Sequence, residues 1–210
     1  MQYNRMLTPI LKQNRLYVLI LFFVMVNADA FAQTISCPEK WWAITHPFIA
    51  IKAFKITKQV LMDLDSLKKE KIIGEDINGG ALDAFKHSYW MASLTNKVNS
   101  TRALKLGIAH EKGNKIQFKK HRLEDSILPD SISSAMDLHN NIAGSAVIKK
   151  KKIYSKKEIQ QLIFELLKEG KLMIIKKDLS GNYLNCNGTL INLQEWRGKW
   201  NIPKCLVLSN

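Results

Sequence analysis

Asp83 and His87 lie four residues apart in Gly79-Gly80-Ala81-Leu82-Asp83-Ala84-Phe85-Lys86-His87-Ser88-Tyr89-Trp90. In a helix that spacing puts a carboxylate and an imidazole on one face. The pair could serve as an oriented general base or as part of a metal site. Two later segments repeat the chemistry on otherwise apolar patterns, Ala109-His110-Glu111 and Met136-Asp137-Leu138-His139-Asn140-Asn141. Asp137 and Asn141 share a face, with Asn140 beside them and Gly144 one turn further on, while His110 falls on the side of Ala103, Leu106 and Gly107. Leaving such groups buried and unpaired costs several kcal/mol, so they must satisfy one another, bind a metal or line a cleft.

Two readings follow. In the first, Asp83, His87, His110, Glu111, Asp137 and His139 converge on one or two divalent ions, zinc or manganese, in a helical bundle. Asp83, His87, Glu111 and Asp137 are then the catalytic set and Asn140 and Asn141 hold substrate, with a water attacking a phosphodiester or ester. A metal-free variant uses Asp83 and His87 as the base. In the second, Asp83 caps a helix start, His87 donates to a carboxylate, and Asn140 and Asn141 tie helices together. Phe85, Tyr89 and Trp90 read as core. His46, at a predicted helix start, and His121, in a charged loop, stay outside the site. No glycine-rich phosphate loop, Gly-x-Ser-x-Gly elbow, Cys-x-x-Cys pair or His-Glu-x-x-His motif occurs, which removes nucleotide hydrolases of the phosphate-loop type, serine esterases of the common fold, zinc ribbons and the best-known zinc proteases.

The elements that must position these residues are helical. Pro38 to Thr45 reads as a short helical turn, and Thr45 and Pro47 start a helix to about Lys69. Its Phe48, Ile51, Phe54, Leu61, Leu64 and Leu67 recur at three- and four-residue spacing, which predicts one buried stripe. Asn78-Gly79-Gly80 breaks the chain before a helix from Ala81 to about Val98. Further helices are expected over Arg102 to about Lys112 and, capped by Ser131 or Ser133, to about Lys150, with a surface loop over 113–131. Ser155-Lys156-Lys157-Glu158 is a capping box opening an amphipathic helix that Gly170 stops. The remainder predicts a short apolar strand over 171–177, a turn at 179–182 and a strand-like region over 183–193. The fold class is therefore mainly α, a bundle of about five helices with a small C-terminal β-hairpin. Residues 33–153 form the helical core and 154–210 a helix and hairpin packed on the same domain.

Residues 1–32 read as a secretory signal peptide: Arg5, Lys12 and Arg15 precede the apolar run Leu16 to Val26, and Ala30-Phe31-Ala32 offers a cleavage site. The run is too short for a membrane-spanning helix. Thr34-Ile35-Ser36 before Cys37 is a poor lipid-attachment box. The expected location is the periplasm or the medium, with no transmembrane segment after cleavage. The chain carries 32 basic and 18 acidic side chains, a net +14. Without residues 1–32, 29 and 17 remain, a net +12. Such a field favours an anionic substrate or envelope polymer. No aromatic residues interleave the run Lys149 to Lys152, so no specific nucleic-acid binding is expected. Of the three cysteines, Cys186 and Cys205 are the nearer pair, although Cys37 could join either.

The order Asn78-Gly79-Gly80-x-x-Asp83-Ala84-Phe85-Lys86-His87-x-Tyr89-Trp90, then Ala109-His110-Glu111, then Met136-Asp137-x-x-Asn140-Asn141-x-x-Gly144 resembles an uncharacterised bacterial domain family. Its members occur in exported proteins and at the C-terminal ends of wall-associated proteins. The resemblance spans roughly Trp41 to Gly144 and implies export and a mainly helical fold, with Asp83, His87, His110, Glu111, Asp137, Asn140, Asn141 and Gly144 as the defining positions. Lys86 stands where arginine is usual and Met91 where asparagine is usual. The functional expectation is a metal-assisted hydrolase of an anionic substrate such as a phosphodiester or phospholipid. The alternatives are a non-catalytic envelope or secreted binding module with a structural polar network, and a secreted antibacterial effector.

Overall fold

The computed structural model describes residues 35–210 apart from 71, 125, 126 and 151. The expected signal peptide lies outside the described residues. Six helices occur among them: α1 (Cys37–Thr45), α2 (Pro47–Lys69), α3 (Ala81–Val98), α4 (Ser100–Lys119), α5 (Ser131–Ala146) and α6 (Lys156–Lys168). Two short strands follow, β1 (Met173–Ile175) and β2 (Leu206–Leu208). The protein is mainly α, and Ser36–Asn210 form one compact unit.

α3 is the hub. It packs against α2, α4, α5, α6 and β1, and its sequence explains why: apolar and small residues lie on every face, so it is buried nearly all round. Phe85 and Tyr89 fill the core shared with Val60 and Leu64 of α2 and Ile159 and Ile163 of α6. Met91, Leu94 and Val98 face Ala103 and Leu106 of α4 and Trp42 of α1. Trp90 is half-buried and donates its Nε1 hydrogen to Thr57 Oγ1 at 2.8 Å. On the α5 side a Cβ at Gly144 would overlap the Ser88 carbonyl, so only glycine lets the two backbones approach this closely.

Local signals set most helix ends. The capping box of Ser155 and Glu158 is formed. α5 is capped by Asp130, whose Oδ1 accepts from the Ile132 and Ser133 amides at 2.8 and 3.1 Å, rather than by a serine. α4 runs past the expected end at Lys112 to Lys119 and carries the buried Gly113 and Asn114 inside it. Gly113 is tolerated there because a side chain at that point would meet Ser36. The predicted buried stripe of α2 holds at Leu64 and Leu67, which meet the core, and is corrected at its other positions. Ala53, Val60, Asp63 and Leu64 face the core, whereas Phe48, Ile51, Phe54 and Leu61 are exposed. The periodicity was present twice on this helix, and packing chose the side with the smaller residues.

The C-terminal sheet is antiparallel, with Met173 opposite Leu208 and Ile175 opposite Leu206. The partner of β1 is thus the end of the chain, and the 183–193 region contributes only isolated bridges, Lys177 with Tyr183 and Leu184 with Leu190. Cys186 and Cys205 form a disulfide, and Cys37 is free and exposed.

Candidate metal centre

Asp83 lies in the first turn of α3, where its Oδ2 accepts the Gly79 amide hydrogen at 2.8 Å. Gly79 has φ 91°, a left-handed conformation that favours glycine, and its carbonyl accepts from the Ile175 amide at 2.7 Å. One turn on, His87 presents Nε2 to two carboxylates. It is 3.5 Å from Asp83 Oδ1 and 3.3 Å from Asp137 Oδ1 on the facing helix α5. All three side chains are buried. One donor atom from each lies within 4.8 Å of the others, a grouping able to hold a metal ion. Lys86 Nζ approaches Asp83 Oδ1 to 2.8 Å.

The cluster lines a cleft together with Asn78, Lys86, Glu124, Ser133 and Tyr183, with a cavity of about 30 Å³. That is room for a water or a single ion. Several buried polar atoms nearby lack a hydrogen-bond partner: His87 Nδ1, Asp137 Oδ1 and both amide atoms of Asn141. Native interiors leave few such atoms without water or an ion to meet them.

The electrostatics separate the histidines. Burial, then the charges of Lys86 and His110, hold His87 well below the usual imidazole range, so its ring is neutral and can ligate a metal. His110 is half-buried, and its desolvation opposes its charge, but it lies between two carboxylates and is raised well above that range. Its Nδ1 is 3.0 Å from Glu39 Oε1 and its Nε2 3.0 Å from Glu124 Oε1. With both nitrogens donating it is an imidazolium with no lone pair for a metal. Burial resists the ionisation of Glu39, yet His110 and Ser36 outweigh it and bring that carboxyl down to about 2. Burial, then the charges of Asp83 and Glu111, push Asp137 well above the carboxylate range. Burial pushes Glu111 up to about 7 against the nearby charge of His110.

Of the residues singled out in the sequence, Asp83, His87 and Asp137 thus come together. Glu111 is buried on α4, its Oε2 accepting from Asn114 Nδ2 at 3.2 Å. His139 is exposed, with Nε2 3.3 Å from the Lys171 carbonyl, and is absent from the metal-capable group. Asn140 brackets β1, donating to the Met173 carbonyl at 2.9 Å and accepting from its amide at 2.8 Å. It therefore ties α5 to the sheet instead of facing the cleft. Asn141 keeps its amide unpaired in the interior. Sequence reasoning did not foresee Glu39 or Glu124, which neutralise His110, nor Tyr183 on the cleft wall. Ser36-x-x-Glu39 was legible as a capping box, but nothing local tied it to His110.

Residues 40–171 match the family model described as a domain of unknown function, DUF6973. No curated protein and no solved structure matches the chain.

Proposed function

The chain belongs to this DUF6973 family, and from that premise we propose that Asp83, His87 and Asp137 hold one divalent ion, zinc or manganese. The protein is then an exported, metal-assisted hydrolase of an anionic substrate such as a phosphodiester or phospholipid. The observation that carries the reading is the position of His87 Nε2, 3.5 and 3.3 Å from two buried carboxylate oxygens on facing helices. A tetrahedral ion with bonds of about 2.1 Å sets its ligand atoms about 3.4 Å apart. Three protein ligands leave a fourth position for water or substrate, the pattern of catalytic rather than structural zinc sites. A bound ion would supply Lewis acidity and a water acidified toward neutral pH.

The chain's own groups fit that chemistry. His87 is neutral, Gly79 holds Asp83 in place through its amide, and Lys86 lines the cleft as a cation for an anionic substrate. The net charge of +12 that remains without residues 1–32 draws anions to the surface. The Cys186–Cys205 disulfide supports an oxidising compartment and so export.

The test is elemental mass spectrometry of protein purified without chelator, with calorimetric titration of zinc and manganese. One ion per chain is expected, lost in His87→Ala and in Asp137→Asn. Hydrolysis of phosphodiester and phospholipid substrates should disappear in the same variants. Failure of the wild type to take up either metal would remove the reading.

One observation favours a second reading. Lys86 already lies against Asp83, and Asp137 is shifted toward its neutral form, so the cluster is balanced without an ion. In that case the protein is a non-catalytic binding module whose polar network is structural. The two variants would then lower stability by about 3 kcal/mol or more with no metal bound.

A further inference from the structure

The first half of α2 and the helix before it expose an apolar surface that nothing among the described residues covers. Trp41 is 69 % exposed, Phe48 73 % and Phe54 56 %, with Ile44 and Ile51 also exposed. Side chains this exposed stand off the surface and do not line a groove. On α2, Ile51 and Phe54 are three residues apart and share one face. Lys55 and Lys58, four residues on from Ile51 and Phe54 respectively, fall on that same face, and Lys40 and Lys52 complete an exposed basic set. No aspartate or glutamate occurs from Lys40 to Met62. The helix buries Ala53, Val60, Asp63 and Leu64 toward the core and turns Phe48 and Phe54 outward, the reverse of what an isolated soluble domain needs.

We propose that this α1–α2 face docks on an anionic lipid surface, its aromatic and aliphatic side chains entering the headgroup boundary while the lysines meet lipid phosphates. Exposed aromatics among lysines are the composition of helices that lie in a membrane interface, and clustered lysines are drawn to anionic lipid. Charge argues against the other occupants. A second copy would oppose one acid-free lysine set with another, and residues 1–32 bring Arg5, Lys12 and Arg15 against a single acid, Asp29. This inference is independent of the metal reading, since none of its residues belongs to the cleft.

The test is flotation of the natively purified protein with vesicles of phosphatidylglycerol and phosphatidylcholine, against vesicles of phosphatidylcholine alone. The N-terminus of the preparation is read by mass spectrometry. Binding to the anionic vesicles is expected, weakening as salt rises and falling at least tenfold both in Trp41→Ala/Phe48→Ala/Phe54→Ala and in Lys52→Glu/Lys55→Glu/Lys58→Glu. The six side chains are exposed, so both variants should melt with the wild type. Equal binding to neutral and anionic vesicles, no binding to either, or variants that bind as the wild type does would overturn the proposal. So would a dimer, seen by light scattering, that the aromatic variant disperses.

Discussion

His87 and His110 have ring centroids 6.3 Å apart but are pushed in opposite directions, His87 toward the neutral ring by burial and a neighbouring lysine and His110 toward the imidazolium by the two carboxylates that clasp it. The division leaves His87 available to a cation and turns His110 into a strut joining α1, α4 and the segment after α4. Glu111, beside that strut, makes the state measurable. Its folded pKa of about 7 lies above the usual 4.5, so the folded protein keeps a proton that the unfolded chain releases. The stability from this group is fully present below pH about 4.5, falls as pH rises to about 7, and levels off beyond. The loss comes to about 3 kcal/mol. In protein stripped with chelator, the unfolding free energy should decline across that window, and Glu111→Gln should flatten the decline. An unchanged slope in the variant would show that Glu111 ionises freely in the fold.

The contact between α3 and α5 forms the site, because it sets Asp137 against His87. That contact depends on Gly144 having no side chain. Gly144→Ala would drive a methyl into the Ser88 carbonyl, and a backbone group in two packed helices cannot move aside cheaply. A loss of about 3 kcal/mol in urea unfolding is expected, together with weaker metal binding. If Gly144→Ala were neutral in both, the helix approach would not govern the site. The same scale accounts for Asn140: its two hydrogen bonds to Met173 fix β1 against α5, and β1 in turn holds Gly79 beside Asp83.

At the scale of the whole molecule, the chain end returns to the helices. β2 pairs with β1. Lys204 Nζ meets the Asp130 carboxylate at 2.6 Å in a buried ion pair and lies over the Tyr183 ring. Cys205, the next residue, is bonded to Cys186, 19 residues away. Tyr183 lines the cleft, so this clamp supports one wall of the site. Reduction of the disulfide should lower stability by about 3 kcal/mol, the value for closing a loop of that size. Differential scanning calorimetry with and without reductant measures it, and Cys37→Ala should leave the melting temperature unchanged. Equal melting of oxidised and reduced protein would mean that the ion pair and sheet suffice.

What the sequence determined by itself was local. The spans of α2 and α3, the capping box at Ser155, the stop at Gly170 and the mainly helical class follow from caps, glycines and periodicity, which act over a few residues. The motif segments around Asp83 and Asp137 were legible for the same reason, as polar groups on apolar helix faces. Tertiary structure decided what depends on residues far apart in the chain. The partners of His110 lie 71 and 14 residues away, Ser36 lies against α4 where a side chain at Gly113 would stand, and β1 pairs with the chain end. Periodicity announced an apolar face on α2, but only packing could say which face was covered. Asp83, His87 and Asp137 became one site, and His139 did not, because helix crossing, not side-chain type, places donor atoms within reach of one ion.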